Sequence, residues 1–219
     1  MIIYIEGNIG AGKTTFIEAF EKYFKSKNIQ KAFIKREPVD QWLNTKDSTG
    51  KNLLEYFYED TKKYGFAFQM NAFISRTKDI LDMNDTPETL NFIERSVFTD
   101  KNVFMECNFN RGSISEIEYN IYNQWFDVFS KQFQLQGKYY IYLKTNKDTC
   151  DQRIQKRDRT GENGIPLDYL QELNELHEEW LQKEEGKGIK VITIDADIDF
   201  LKEPEKLELE FNRIMQIIT

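Results

Sequence analysis

Gly7-Asn-Ile-Gly-Ala-Gly-Lys-Thr14 sets glycines, a lysine and a hydroxyl in the spacing G-x-x-x-x-G-K-[ST]. Glycines in such a loop let successive backbone N–H groups turn inward on an anion with no Cβ in the way. The loop follows a short apolar run and opens a stretch of helical periodicity, so a helix N-terminus adds partial positive charge. This is chemistry for a nucleoside polyphosphate. Gly7, Asn8, Ile9, Gly10, Ala11 and Gly12 form the cradle, and Lys13 spans the β- and γ-phosphates. The Thr14 hydroxyl ligates Mg²⁺, with Thr15 beside it. The loop predicts ATP as phosphoryl donor and leaves the acceptor open, because switch GTPases, ATPase machines and small-molecule kinases all use it. A guanine-reading N-K-x-D is not formed by Asn146-Lys147-Asp148-Thr149, where Thr149 occupies the aspartate position.

Three further clusters bear on the acceptor. Arg36-Glu-Pro-Val39 closes an apolar run, with Trp42 following. A carboxylate at the C-terminal end of a parallel strand sits on the ligand side of the sheet, so Glu37 could take an acceptor hydroxyl's proton. Glu94-Arg95-Ser closes a second run, where Glu94 suits an acidic Mg²⁺ partner and Arg95 can balance charge on a transferring phosphoryl group. Arg153, Lys156, Arg157 and Arg159 are the densest basic cluster in the chain, and Thr160-Gly-Glu-Asn-Gly-Ile-Pro166 follows them. Arginines on such a segment suit a lid, about residues 153–165, that closes over phosphates and excludes water. Gln69 and Arg76 are seven residues apart, two turns of one helix, and so share a face. Arg76 can then meet Asp100.

Composition narrows the class. The formal net charge of −7 disfavours nucleic acid as a partner. No apolar run reaches the ~18 residues a membrane helix needs. Cys107 and Cys150 are too few for a disulfide framework and read as reduced thiols. The start at Met1, with neither signal nor transit character, reads as cytoplasmic.

The elements that must position these groups alternate strand and helix. Five apolar runs read as strands: 2–6, 32–36, 90–94, 139–143 and 190–194. Helical spacing joins Phe16, Phe20, Tyr23 and Phe24; then Phe66, Met70, Phe73 and Ile74; then Ile114, Ile117, Ile121, Trp125 and Val128. It recurs through Tyr169, Leu173, Leu176 and Trp180 after Pro166, and through Leu207, Phe211, Ile214 and Ile218. All these stripes read as core. One α/β domain over residues 1–219 is expected, a five-stranded parallel sheet with helices on both faces. The sole histidine, His177, reads as helix-surface or half-buried and not catalytic.

Taken in order, these motifs resemble the deoxyribonucleoside kinase family, in particular its deoxycytidine, deoxyguanosine and deoxyadenosine kinases. The resemblance rests on the phosphate loop, Glu37-Pro-Val with Trp42, Phe66-Ala-Phe-Gln69 through Arg76, Glu94-Arg-Ser through Asp100 and Phe104, the lid arginines, and Gly164-Ile-Pro-Leu-Asp-Tyr169. It implies the P-loop kinase fold with an arginine-rich lid and ATP-dependent 5′-phosphorylation of deoxyribonucleosides. Glu37 is then the general base and Arg95 its partner at the phosphate, with Thr14 and Glu94 at Mg²⁺. Gln69 reads the base edge, Phe68 and Phe104 sandwich the base, and Tyr58 and Glu162 hold the sugar 3′-hydroxyl. Val39, Trp42 and Leu54 complete the acceptor pocket. Arg153, Arg157 and Arg159 form the lid, and Asp199-Phe200 lies on the adenine side. The Arg76–Asp100 pair implies deoxyadenosine, deoxyguanosine or deoxycytidine over thymidine. Gly161 departs from the second lid glutamate common in deoxycytidine kinases. A homodimer through the helices around Phe73 and Trp125 is also implied. The rivals are a thymidylate kinase, which shares Arg-Glu-Pro but usually continues it with glycines, and a non-catalytic nucleotide-binding subunit.

Overall fold

The computed structural model describes residues 1–83, 89–159 and 162–219. Among them, β1 (Ile2–Glu6), β2 (Ala32–Lys35), β3 (Leu90–Glu94), β4 (Tyr139–Lys144) and β5 (Lys190–Asp195) form one parallel sheet in the order β2-β3-β1-β4-β5. Each strand lies within a residue of its expected bounds; β2 stops at Lys35, before Arg36. Side chains alternate across the sheet. Tyr4, Ile93, Tyr140 and Tyr142 enter one core layer, and Ile3, Ile5, Phe92, Ile141 and Leu143 enter the other.

Ten α-helices cover the two faces among the described residues. They are α1 (Lys13–Ser26), α2 (Val39–Asn44), α3 (Leu53–Glu59), α4 (Thr61–Leu81), α5 (Val97–Thr99), α6 (Glu106–Asn110), α7 (Glu116–Gln132), α8 (Lys147–Arg157), α9 (Leu167–Gly186) and α10 (Pro204–Ile218). A π-helical segment, Asp100–Met105, joins α5 to α6. Helices α1 and α10 behave as their stripes predict. Phe16, Phe20, Tyr23 and Phe24 are buried, as are Leu207, Phe211, Ile214 and Ile218, and the Phe20 and Phe211 rings stack 4.4 Å apart.

Three expectations need correction. On α4 the buried face is Phe68, Gln69, Ala72, Phe73 and Arg76, whereas Ile74 is 51% exposed and Phe66 and Met70 are half-buried. The helix turns polar Gln69 and Arg76 inward because a polar site lies there, which a search for apolar periodicity passes over. On α7, Tyr122 and Phe126 point inward and Ile117, Ile121, Trp125 and Val128 point outward. That stripe has helical spacing but no covering layer among the described residues. Finally, His177 is wholly buried: its Nδ1 lies 2.7 Å from the Leu173 carbonyl and its ring stacks on Tyr142. Burial drives its pKa down to about 3, so it stays neutral.

Candidate active site

The register Ile5↔Glu94 and Lys35↔Ile93 brings the C-terminal ends of β1, β2 and β3 to one edge of the sheet. The phosphate loop leaves β1 there, Glu37 follows β2 and Arg95 follows β3. A cavity of about 970 Å³ opens over this edge, large enough for two small molecules end to end.

Its donor half is the loop. Gly10 and Gly12 take φ values of 78° and 89°, and a Cβ at Gly10 would stand 2.4 Å from the Cys150 carbonyl oxygen, so only glycine fits. Asn8 is the loop's anchor. Its Nδ2 donates to the Leu170 carbonyl (2.8 Å) and Asn174 Oδ1 (2.7 Å) on α9, and its Oδ1 accepts the Ile9 N–H (2.7 Å). Lys13 Nζ donates to the carbonyls of Gly7 (3.0 Å) and Asn8 (2.8 Å). Burial, with the Arg95 charge nearby, brings its pKa down to about 7. An anionic phosphate would raise it again. ATP binding at pH 8 should therefore take up protons, visible by calorimetry in two buffers of different ionisation enthalpy. Lys13→Met should abolish that uptake, and equal uptake in both proteins would contradict this reading of Lys13.

The centre of the cavity is a chain of buried charges. Arg95 Nη1 lies 2.6 Å from Glu37 Oε1, Arg76 Nη2 donates to the same oxygen, and Arg76 Nε reaches both Asp100 oxygens at 2.9 and 3.0 Å. Burial opposes charge on Glu37, but Arg95, Arg76 and Lys13 outweigh it and hold the carboxyl far below the usual range. Burial pushes Asp100 up to about 6 against the pull of Arg76. Glu94 Oε2 accepts the Glu37 N–H at 3.3 Å, which ties the ends of β2 and β3 together. Glu94 and Thr14 line the same cavity. No group of three or more His, Cys, Asp or Glu able to hold a metal occurs among the described residues. One carboxylate and one hydroxyl nevertheless suit Mg²⁺, which keeps waters and takes phosphate oxygens as its other ligands.

The acceptor half is aromatic. Trp42 Nε1 donates to Ser75 Oγ (2.9 Å), and the Arg76 guanidinium lies 5.2 Å from the Trp42 ring centre. The Phe68 ring is stacked on Phe57 at 4.6 Å and meets Trp42 edge-on, beside buried Leu54. Phe104 lies under the Arg95 guanidinium, 5.0 Å from ring centre to charge. Val39, Tyr58, Phe68, Gln69 and Phe104 all line the cavity. Gln69 lines the cavity and is buried, with its Oε1 unpartnered among the described residues.

The lid residues are less uniform than expected. Arg153 is engaged with backbone: Nη1 donates to the carbonyls of Ala196 (2.8 Å) and Ala11 (3.3 Å), and Nη2 to that of Ile198 (2.9 Å). It braces the phosphate loop against the segment carrying Asp199 and Phe200 while still lining the cavity. Phe200 is buried against Phe16, and Asp199 lines the cavity. Arg157 donates to Glu162 Oε2, and Arg159 to Oε1 at 3.1 Å. Glu162, expected at the sugar, is thus bound to the lid arginines, while its charge also reaches Tyr58. Gly161 lies outside the described residues.

Sequence reasoning missed several parts of the site. The π-helical segment carries both Asp100 and Phe104, and such turns often occur at functional sites. Asn174, which accepts from Asn8, is invisible without tertiary contacts. Thr99 and Ser96 had a local signal, a serine three residues before a threonine, which forms an N-cap at 3.1 Å.

A family model described as deoxynucleoside kinase matches residues 3–219. Deoxycytidine kinase 2 of Gallus gallus is 33% identical over 245 residues, covering 99% of this chain and 90% of that protein. A probable deoxycytidine kinase of fowlpox virus is 34% identical over 219 residues, covering 99% and 88%. Mitochondrial thymidine kinase 2 of Homo sapiens is 33% identical over 218 residues, covering 98% and 77%. Relatives of both base preferences are therefore about equally similar.

Proposed function

We propose, for a chain that belongs to the deoxynucleoside kinase family and is a deoxynucleoside kinase using ATP, a preference for deoxyadenosine, deoxyguanosine or deoxycytidine over thymidine. The observation that carries this is the buried chain Arg95–Glu37–Arg76–Asp100, which runs from the Gly7 carbonyl of the phosphate loop to α4, the helix that also carries Gln69. Arg76 and Asp100 fill the space beside the base with a polar pair. Gln69 offers an acceptor to an exocyclic amino group, which cytosine and adenine carry and thymine lacks.

Transfer is in line. The nucleoside 5′-hydroxyl approaches Glu37, whose carboxylate takes its proton as the oxygen attacks the γ-phosphorus and ADP leaves. Arg95, Lys13 and the lid arginines Arg157 and Arg159 balance charge on the three equatorial oxygens. Thr14 and Glu94 would hold Mg²⁺ together with phosphate oxygens, and the ion would supply positive charge at the leaving group. Glu162 exchanges its arginine partners for the sugar 3′-hydroxyl, with Tyr58, once phosphates occupy the lid. Val39 and buried Trp42 fill the room that a thymidylate kinase keeps for a substrate phosphate. The product test is direct. Phosphorus NMR of the reaction with deoxycytidine should show a new monophosphate ester at the 5′ position, and a diphosphate formed from dTMP instead would overturn the reading.

The exposed stripe of Ile117, Ile121, Trp125 and Val128, continued by Ile74 and Leu81 of α4, supports a homodimer. Phe73 of α4 is fully buried, as its core reading expects, and takes no part in that surface. Trp125→Glu should halve the solution mass to that of one 26.1 kDa chain, measured by light scattering, and an unchanged mass would refute this interface. Residues 1–219 are read as one domain because one sheet and one family match run through them. The two buried free cysteines are consistent with a cytoplasmic protein.

A further inference from the structure

Arg95 stands at φ 60°, in the left-handed region that non-glycine residues avoid. The turn is what sends its guanidinium back over the sheet edge, 2.6 Å from Glu37 and 3.5 Å from the Gly7 carbonyl. An unfavourable backbone at a functional group persists only where its surroundings over-determine it. On the upstream side, the Arg95 N–H donates to the Ile5 carbonyl at 2.9 Å, extending the β1–β3 ladder. On the downstream side the chain is pinned by hydroxyls. Ser96 Oγ accepts the Thr99 N–H at 3.1 Å and lies 3.2 Å from Thr99 Oγ1. Thr99 Oγ1 in turn donates to Glu6 Oε2.

Glu6 has no place in the transfer described above. It is fully buried at the end of β1 and is not among the residues lining the cavity. Its Oε1 has no hydrogen-bond partner among the described residues. A buried carboxylate is costly unless its surroundings use it. Burial pushes the Glu6 carboxyl up, against the pull of the Thr99 and Ser96 hydroxyls and the charges of Arg95 and Arg76. Glu6 also directly precedes Gly7, so one residue joins the start of the phosphate loop to the turn that carries Arg95.

We propose that Glu6 is a positioning residue for the phosphoryl transfer: through the hydroxyls of Thr99 and Ser96 it fixes the left-handed turn at Arg95, and so the guanidinium's place beside Glu37. Glu6 touches neither substrate and acts only through Arg95. The proposal rests on the reading of Arg95 as a transition-state group, and its test separates the two.

The experiment is a double-mutant cycle on kcat, with both KM values recorded. Thr99→Val removes the hydroxyl at nearly constant volume, and Thr99→Ser keeps it. Thr99→Val should lower kcat about tenfold or more with both KM values within about twofold, and Thr99→Ser should recover most of the loss. In an Arg95→Ala background, Thr99→Val should change kcat by less than about twofold, because its effect runs through the missing guanidinium. If Thr99→Val does not fold, Glu6→Gln serves in the same cycle. It keeps an oxygen for the hydroxyls and should lose about three- to tenfold alone and nothing further beside Arg95→Ala. Losses that multiply fully on Arg95→Ala, a wild-type kcat in Thr99→Val, or no recovery in Thr99→Ser would overturn the positioning role. A wild-type kcat in Arg95→Ala alone would overturn the reading of Arg95 itself.

Discussion

Replacing Glu37 with glutamine lowers kcat by about 10²–10⁴-fold while ATP still binds. The size follows from two losses at once. The amide cannot accept the 5′-hydroxyl proton, and without the negative charge its oxygen holds the Arg76 and Arg95 guanidiniums, both of which now donate to Oε1, more weakly. Arg95 is then free to drift from the transferring group, so charge stabilisation falls with base function. ATP binding should be spared because Gly10, Gly12 and Lys13, which line the same cavity, are left unchanged. The pH dependence adds a sharper check. Arg95, Arg76 and Lys13 keep Glu37 ionised well below the ordinary glutamate range. The rate of the wild-type enzyme should therefore show no limb from Glu37 as pH falls toward 5. Near-normal turnover in Glu37→Gln, measured by coupled ADP release, would remove Glu37 from the mechanism.

Replacing Arg76 alone with methionine destabilises the protein by roughly 3–5 kcal/mol, because Asp100 is left buried and uncompensated. Burial already pushes Asp100 up to about 6 with Arg76 present, and it rises further once Arg76 is gone. The native state then holds a proton that the unfolded chain has released. Stability in Arg76→Met consequently falls as pH rises from the ordinary carboxylate range through that raised value. Adding Asp100→Ala removes the stranded charge and should recover most of the loss. The double variant also empties the polar wall beside the base, so thymidine should gain on the purine deoxynucleosides. Melting curves and the ratio of kcat/KM values together decide the matter. Unchanged substrate ratios in a folded double variant would show that the pair is structural only.

The donor half of the site was legible because its chemistry is local. A phosphate loop needs glycines, lysine and threonine in one run, and the strand before it and helix after it carry their own periodicities. Glu37 and Arg95 were legible as residues at strand ends, where a parallel sheet presents its ligand edge. Their mutual contact was not, because the register between β2 and β3 is set by packing across 57 residues of chain. The α7 stripe marks another limit. Period 3.6 says that Ile117, Ile121 and Trp125 share a face, but not whether this chain or a second copy covers it. Arg153 shows the same limit for charge: its sequence neighbours suggest a lid arginine, and only the tertiary fold gives it three carbonyls of the loops on either side of it. Glu6 reads as the last residue of a strand, and its burial beside Thr99 depends on a turn the sequence does not announce.

The most direct measurement is ATP consumption with each of the four deoxynucleosides and, separately, with dTMP. Turnover of deoxycytidine, deoxyadenosine or deoxyguanosine should exceed that of thymidine, with dTMP no better than background. Phosphorylation of dTMP in preference to every nucleoside, or thymidine as the fastest acceptor, would contradict the site described around Glu37, Arg76 and Asp100.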